Sequence, residues 1–185
     1  MERCIKRVAR AASRIGVLVV VLAALAGAVD AAPRVRCTAA AFSFGEIETT
    51  DVQRQGNLVY VAWRAHGSTM LDCPSHPRLH GQVMGIDTWE HAYVVVDPNG
   101  DGDLQMAGRI RLGVRIPDGG SVIIGGLMRG EGPCIDEVCI ADGEGRASTP
   151  GGKARMRERV TIDLAAGEVT SIDVQGIVID FTGAR

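Results

Sequence analysis

The chain reads as all-β: an antiparallel β-sandwich or barrel of roughly eight or nine strands, preceded by an N-terminal signal helix. Three observations predict this. Apolar and polar side chains alternate with a period of two in many segments, while no helix-period pattern of useful length follows residue 31. Gly-rich turns separate the alternating runs. No internal repeat emerges, which disfavours a propeller or solenoid.

The first segment stands apart from that fold. Arg3, Lys6, Arg7, Arg10 and Arg14 precede an uncharged apolar run over residues 15–29, closed by Val29-Asp30-Ala31. Basic head, apolar middle and small-residue exit are the three parts of a secretory signal peptide. The run is shorter than the roughly 20 apolar residues a helix needs to span a bilayer, so cleavage after Ala31 and no stable membrane span are expected. The organisation is therefore a signal peptide over 1–31 and a single β-rich domain over 32–185, secreted or periplasmic.

Within the domain, residues 39–47 form the first expected strand. In 58–65, Val59, Val61 and Trp63 alternate, which places Trp63 inside. Residues 79–86 and 93–96 follow. The clearest case is 109–116, with Ile110, Leu112, Val114 and Ile116 on one face and Arg109, Arg111, Gly113 and Arg115 on the other. Pro117-Asp118-Gly119-Gly120 supplies turn chemistry, so 122–128 folds back as a hairpin. Gly125-Gly126 inside that strand marks a bulge or close packing. Residues 154–164 and 169–181, joined by Ala165-Ala166-Gly167, make another hairpin. The stretch 130–152 is the longest without a clear pattern and is expected to be a loop, functional or mobile.

Removing residues 1–31 takes away five of the 20 basic and two of the 22 acidic side chains, leaving 15 against 20. An acidic domain argues against binding nucleic acid or anionic lipid through its overall charge, although a local basic patch is compatible with it. Cys4 leaves with the leader, and Cys37, Cys73, Cys134 and Cys139 remain. In an oxidising compartment four thiols make two disulfides. Of the three pairings, Cys134–Cys139 is favoured by the four residues between them in a Gly-rich stretch, and Cys37–Cys73 follows as the remainder.

Asp97-Pro98-Asn99-Gly100-Asp101-Gly102-Asp103 is the most specific chemical signal. Ca²⁺ takes six to eight oxygens, which a tight loop presents from alternate residues. Asp97, Asn99 and Asp101 occupy the alternate positions, Gly102 allows the turn, and the Asp103 carbonyl completes the set. The stretch resembles the calcium loops of EF-hands and dockerins, and more closely the Asp-x-Asn-Gly-Asp-Gly loops of integrin-type FG-GAP repeats. That resemblance implies a structural Ca²⁺ site, with Gln105 standing where the last family has an Asp and Gly108 where an EF-hand has a Glu. It covers about a dozen residues and implies no family for the chain. The same dipeptides also make an ordinary hairpin turn.

Other constellations compete with plainer roles. Cys73, His76, His80 and His91 have zinc-like spacings, but Cys73 is also a natural disulfide partner. The arginines at 109, 111 and 115 and at 155, 157 and 159 point outward; if the two strands are neighbours they form a basic plateau for an anionic glycan or envelope component. Arg111 and Arg157 represent the two stripes. Trp89 is a candidate exposed platform, beside the acid–base groups Asp87, Glu90 and His91. No nucleophile elbow, metalloprotease helix or phosphate loop is present. The leading expectation is a non-catalytic binding or envelope-associated module, and the competing one a secreted hydrolase or lyase on a β scaffold.

Overall fold

Ten strands in one antiparallel sheet account for the domain, in a computed structural model that describes residues 34–116, 120–150 and 152–182. The signal-peptide reading of 1–31 lies outside the described residues, as does the 117–119 turn. In chain order the strands are β1 (Arg34–Ala39), β2 (Phe42–Ser43), β3 (Glu46–Gln55), β4 (Leu58–Asp72), β5 (Val83–Val96), β6 (Gly102–Ile116), β7 (Gly120–Ile135), β8 (Val138–Thr149), β9 (Gly152–Asp163) and β10 (Glu168–Thr182).

From β3 to β10 each strand pairs with the next in sequence, an up-and-down meander. β1 then joins the ends. It runs antiparallel to β10 from Val35↔Phe181 to Ala39↔Ile177 and touches β4 through Thr38↔Asp72 and Ala39↔Leu71. The sheet thus curls into a ring, though not a clean barrel. Between β3 and β10 the seam is crossed by single bonds rather than a ladder: the Phe44 N–H donates to the Ile172 carbonyl at 3.0 Å, and the Val169 N–H to Thr49 Oγ1 at 3.1 Å.

Alternation sends one side of most strands into a dry interior, β2 and β3 having no fully buried residue. Val59, Val61 and Trp63 of β4, Ile110, Leu112 and Val114 of β6, and Met156, Val160 and Ile162 of β9 are buried. Trp63 is 1% exposed, as its alternation predicts. Around β6 to β8 the inward rows alternate large side chains with glycine. One row reads Trp63, Glu90, Gly108, Met128, Gly145, Met156; the next reads Ala92, Met106, Gly130, Gly143, Glu158. The glycines leave room for the backbone and large inward side chains of the adjacent strands. A Cβ on Gly126 would stand 2.1 Å from the Arg146 carbonyl oxygen, so Gly126 marks close packing while Gly125 lies open, and the β6–β7 ladder has no register shift there.

Four expectations need correction. The strand expected over 39–47 is broken: β1 ends at Ala39, Phe42–Ser43 form the short β2, and β3 starts at Glu46. The strands number ten, not eight or nine. Leu79 lies in a turn, and the strand expected from 79 starts at Val83, because the Cys73–Gln82 connection is held by local turn bonds such as His76 carbonyl with the Leu79 N–H. Most consequentially, 130–152 is not a loop: it is the end of β7, a two-residue turn and all of β8. Its alternation is hidden because Gly130, Gly132, Gly143 and Gly145 occupy inward positions where an apolar side chain would have revealed the period.

Both disulfides form as expected. Cys134 and Cys139 are directly opposite on β7 and β8, and Cys37–Cys73 ties the closing strand β1 to the end of β4. Disulfide chemistry belongs to an oxidising environment. On the chain-entropy model the longer ring contributes about 4 kcal/mol and the shorter about 2.

Candidate functional site

The outer wall of β5 to β9 carries the arginines. β6 and β9 are not neighbours, so the two stripes do not adjoin; β7 and β8 lie between them and supply Arg129 and Arg146. Across the wall one outward row reads Trp89, Arg109, Leu127, Arg146, Arg155, and the next reads His91, Ala107, Arg129, Glu144, Arg157. Arg111 belongs to a further row, between Asp87 and Gly125, so the structure groups it with Trp89 and not with Arg157. The ring stack of His91 on Tyr60, with centroids 5.9 Å apart, closes one flank.

Cross-strand acids are committed elsewhere. Asp87, beside Arg111, is bonded to His66 Nδ1 at 2.7 Å. Glu144, beside Arg129 and Arg157, accepts from Arg146 at 3.0 and 3.3 Å; Arg146, with help from Arg157 and Arg155, holds its carboxyl below the usual range. Asp142 takes a forked bond from Arg159 at 2.8 and 3.2 Å and is likewise lowered. Arg109, Arg111 and Arg129 therefore have no ion-pair partner among the described residues.

Two shallow depressions meet at Ala107 and Arg129. The first, about 820 Å³, is lined by both signs of charge: Arg129, Arg157 and Arg159 against Glu131, Asp142 and Glu144. The second, about 880 Å³, has Trp89, Arg109, Arg111, Ile123, Leu127 and Arg129 around Gly125, and no carboxylate in its lining. Trp89 is 42% exposed, in keeping with its reading as a platform.

No family model, curated protein or solved structure matches this chain. Its chemistry has to be argued from these positions.

The 97–103 segment is a closed turn at the opposite edge of the sheet from the 73–82 connection. Asp97 Oδ1 accepts the N–H groups of Asn99 at 2.8 Å and Asp101 at 3.0 Å, which keeps its carboxyl ionised below the usual range. Asp101 Oδ1 accepts the Asp136 N–H at 3.1 Å, tying this turn to the β7–β8 turn. Asp103 and Gln105 are drawn into β6, where Gln105 donates to Glu131 at 3.3 Å. Among the described residues, no three acidic, His or Cys groups are placed to hold a metal ion. The zinc-like set does not assemble either: Cys73 is spent in a disulfide and His91 stacks on Tyr60.

One constellation escaped the sequence reading. Glu90 on β5 and Glu158 on β9 meet across the interior, 3% and 1% exposed. Each faces a glycine on the adjacent strand, Glu90↔Gly108 and Glu158↔Gly143. A Cβ on Gly108 would come within 2.3 Å of Glu90 Cγ, and one on Gly143 within 3.1 Å of Glu158 Oε1, so those glycines make the room. Burial raises Glu90 to about 7, opposed by the nearby Glu158 carboxyl, Trp63 indole and Thr88 hydroxyl. None of these closes a bond of normal geometry onto it. Glu158 is pushed well above its ordinary value, by burial first and then by the charge of Glu90. Two ionised carboxylates only accept hydrogen bonds, so a proton is what lets this pair coexist. The clue was available: if Trp89 faces outward, alternation turns Glu90 inward, and Arg157 and Arg159 do the same for Glu158.

Proposed function

We propose that the protein is an exported, non-catalytic binding module, secreted or periplasmic, whose β5–β9 outer wall engages an anionic glycan or envelope component. One observation carries this reading: Arg109, Arg111 and Arg129 stand together with no ion-pair partner among the described residues, on a domain whose net charge is negative. Such an arrangement leaves the forked donors of three guanidiniums to an outside anion. The leader-like N-terminal sequence and the two disulfides support export. The competing hydrolase or lyase reading has a carboxyl pair available, but Glu90 and Glu158 are buried, with Glu158 only bordering the floor of the mixed-charge depression.

Retention on immobilised heparin, a soluble polyanion, tests the reading. The wild type binds, and Arg109→Gln/Arg129→Gln weakens binding about tenfold or more. An Arg111→Gln/Arg157→Gln variant, which touches both ends of the wall, weakens it as well. Equal retention of wild type and both variants overturns the proposal.

A structural Ca²⁺ at Asp97, Asn99, Asp101 and the Asp103 carbonyl belongs to the same reading. Backbone N–H groups already bond the Asp97 and Asp101 carboxylates, so the ion would add to a formed turn, with affinity in the weak extracellular range of roughly 10⁻⁴ to 10⁻³ M. Melting in chelator against millimolar Ca²⁺ decides: a lower melting temperature in chelator, lost in Asp101→Ala, supports the ion, and superimposable curves remove it.

A further inference from the structure

We infer that the depression around Gly125 is a seat for the phosphate headgroup of an anionic lipid, with Trp89, Ile123 and Leu127 entering the apolar boundary beside it. The inference rests on the anion-binding reading above and narrows it to one ligand class. Overall acidity argued against such a ligand at the level of composition, but the strand pairing sorts the charges and leaves this depression without a carboxylate in its lining.

The two depressions on the wall differ in what they offer. In the one bordered by Glu131, Asp142 and Glu144, three carboxylates share the lining with Arg129, Arg157 and Arg159, and Arg159 is already bonded to Asp142, so a ligand anion meets negative charge there. Around Gly125, three guanidiniums have no ion-pair partner among the described residues, and apart from His91 the remaining walls are apolar. Leu127 is 58% exposed and Ile123 48%, on either side of Gly125 along β7. An ideal Cβ on Gly125 would find nothing nearer than 3.9 Å, so the glycine leaves an open dip between them. Arg111 is the cross-strand neighbour of Gly125, and Arg109 that of Leu127.

A sulfated or phosphorylated sugar would use the arginines and could stack on Trp89, yet it would leave two large aliphatic side chains in water. A phospholipid at a bilayer surface uses all of these groups: guanidiniums fork onto phosphate oxygens, the indole sits at headgroup level, and the aliphatic side chains meet acyl carbon. Basic residues at an anionic leaflet each contribute about 1 kcal/mol, which is roughly fivefold in affinity.

Co-flotation with vesicles tests the inference, comparing phosphatidylcholine alone with phosphatidylcholine mixed with phosphatidic acid. Trp89 reports on itself, because the other tryptophan, Trp63, is buried. Wild type floats with the mixed vesicles only, and its emission shifts to the blue, a shift absent in Trp89→Phe. Arg109→Gln/Arg129→Gln weakens flotation about tenfold or more. Arg157→Gln, outside the depression, has a markedly smaller effect. Leu127→Ser weakens flotation about threefold or more while leaving heparin retention unchanged. If Leu127→Ser floats like wild type, if Arg157→Gln costs as much as the pair, or if phosphatidylcholine alone suffices, the lipid seat is wrong. Heparin retention intact alongside any of those results leaves the broader anion-binding reading standing, and loss of both heparin and vesicle binding in wild type sinks the two together.

Discussion

Glu90 and Glu158 are the residues at which this fold departs furthest from a simple apolar interior. A carboxyl whose folded pKa lies above its unfolded one holds its proton more tightly in the folded state. Its contribution to stability is then complete below the unfolded value near 4.5 and declines as pH rises through the folded value. For Glu90 that decline runs up to about 7, and for Glu158 it continues higher. Stability is therefore expected to be greatest in mild acid and to fall from pH 5 to 9, by roughly 2–4 °C of melting temperature for each kcal/mol lost in a domain of this size. Glu158→Gln, which keeps the shape and removes the charge, should flatten the curve and raise the melting temperature at the alkaline end. A wild-type melting temperature that rises steadily over that interval would show that the pair is not the controlling group.

At the scale of elements, the ring depends on its closing strand. β1 borders β10 along its length but meets β4 over only two residue pairs, and Cys37–Cys73 reinforces that junction. Cys134–Cys139, by contrast, joins strands already adjacent in a tight hairpin. That hairpin needs its own support, since Asp136 and Glu137 both adopt positive φ, at 50° and 64°, where glycine or asparagine is usual. Arg54 bonds Glu137 Oε1 at 2.7 Å, and the Glu137 N–H and carbonyl engage Gly100 and Leu164. Replacing Cys37 and Cys73 by Ser should cost about 4 kcal/mol in urea unfolding and expose the β1 edge to proteolysis, whereas the Cys134/Cys139 double Ser variant should lose about 2 kcal/mol with the edge still protected. The reverse order would mean that β1 is not what holds the ring shut.

At the scale of the described domain the charges are unevenly distributed. Asp97, Asp101, Asp136, Glu137 and Asp163 gather at the end bearing the β5–β6 and β7–β8 turns, while Arg109, Arg111, Arg129, Arg146, Arg155 and Arg157 share one outer wall. A negative net charge and a cationic face can thus belong to the same domain. Association through such a face is screened by salt, with a Debye length of about 8 Å at physiological ionic strength and about 3 Å at 1 M. Heparin retention should accordingly collapse on raising NaCl from 0.05 to about 1 M, and retention that ignores salt would point to another surface.

Alternation along the chain was enough to determine an all-β fold, the inward course of Trp63 and the outward course of Trp89 and the arginines, all local properties set by a side-chain period of two. Short spacing pointed to Cys134–Cys139, and Cys37–Cys73 followed only as the remaining pair. β8 stayed hidden because its inward glycines erase the contrast on which the period depends. The sequence also could not say which strands adjoin: only the meander's pairing inserts Arg129 and Arg146 between the two stripes, commits Asp87 to His66, and leaves three guanidiniums around Gly125 with no ion-pair partner among the described residues. The meeting of Glu90 with Glu158 is likewise decided by the curl of the sheet. Three strands, β6 to β8, lie between them along the ladder, and glycines at 108 and 143 leave the room beside each carboxyl.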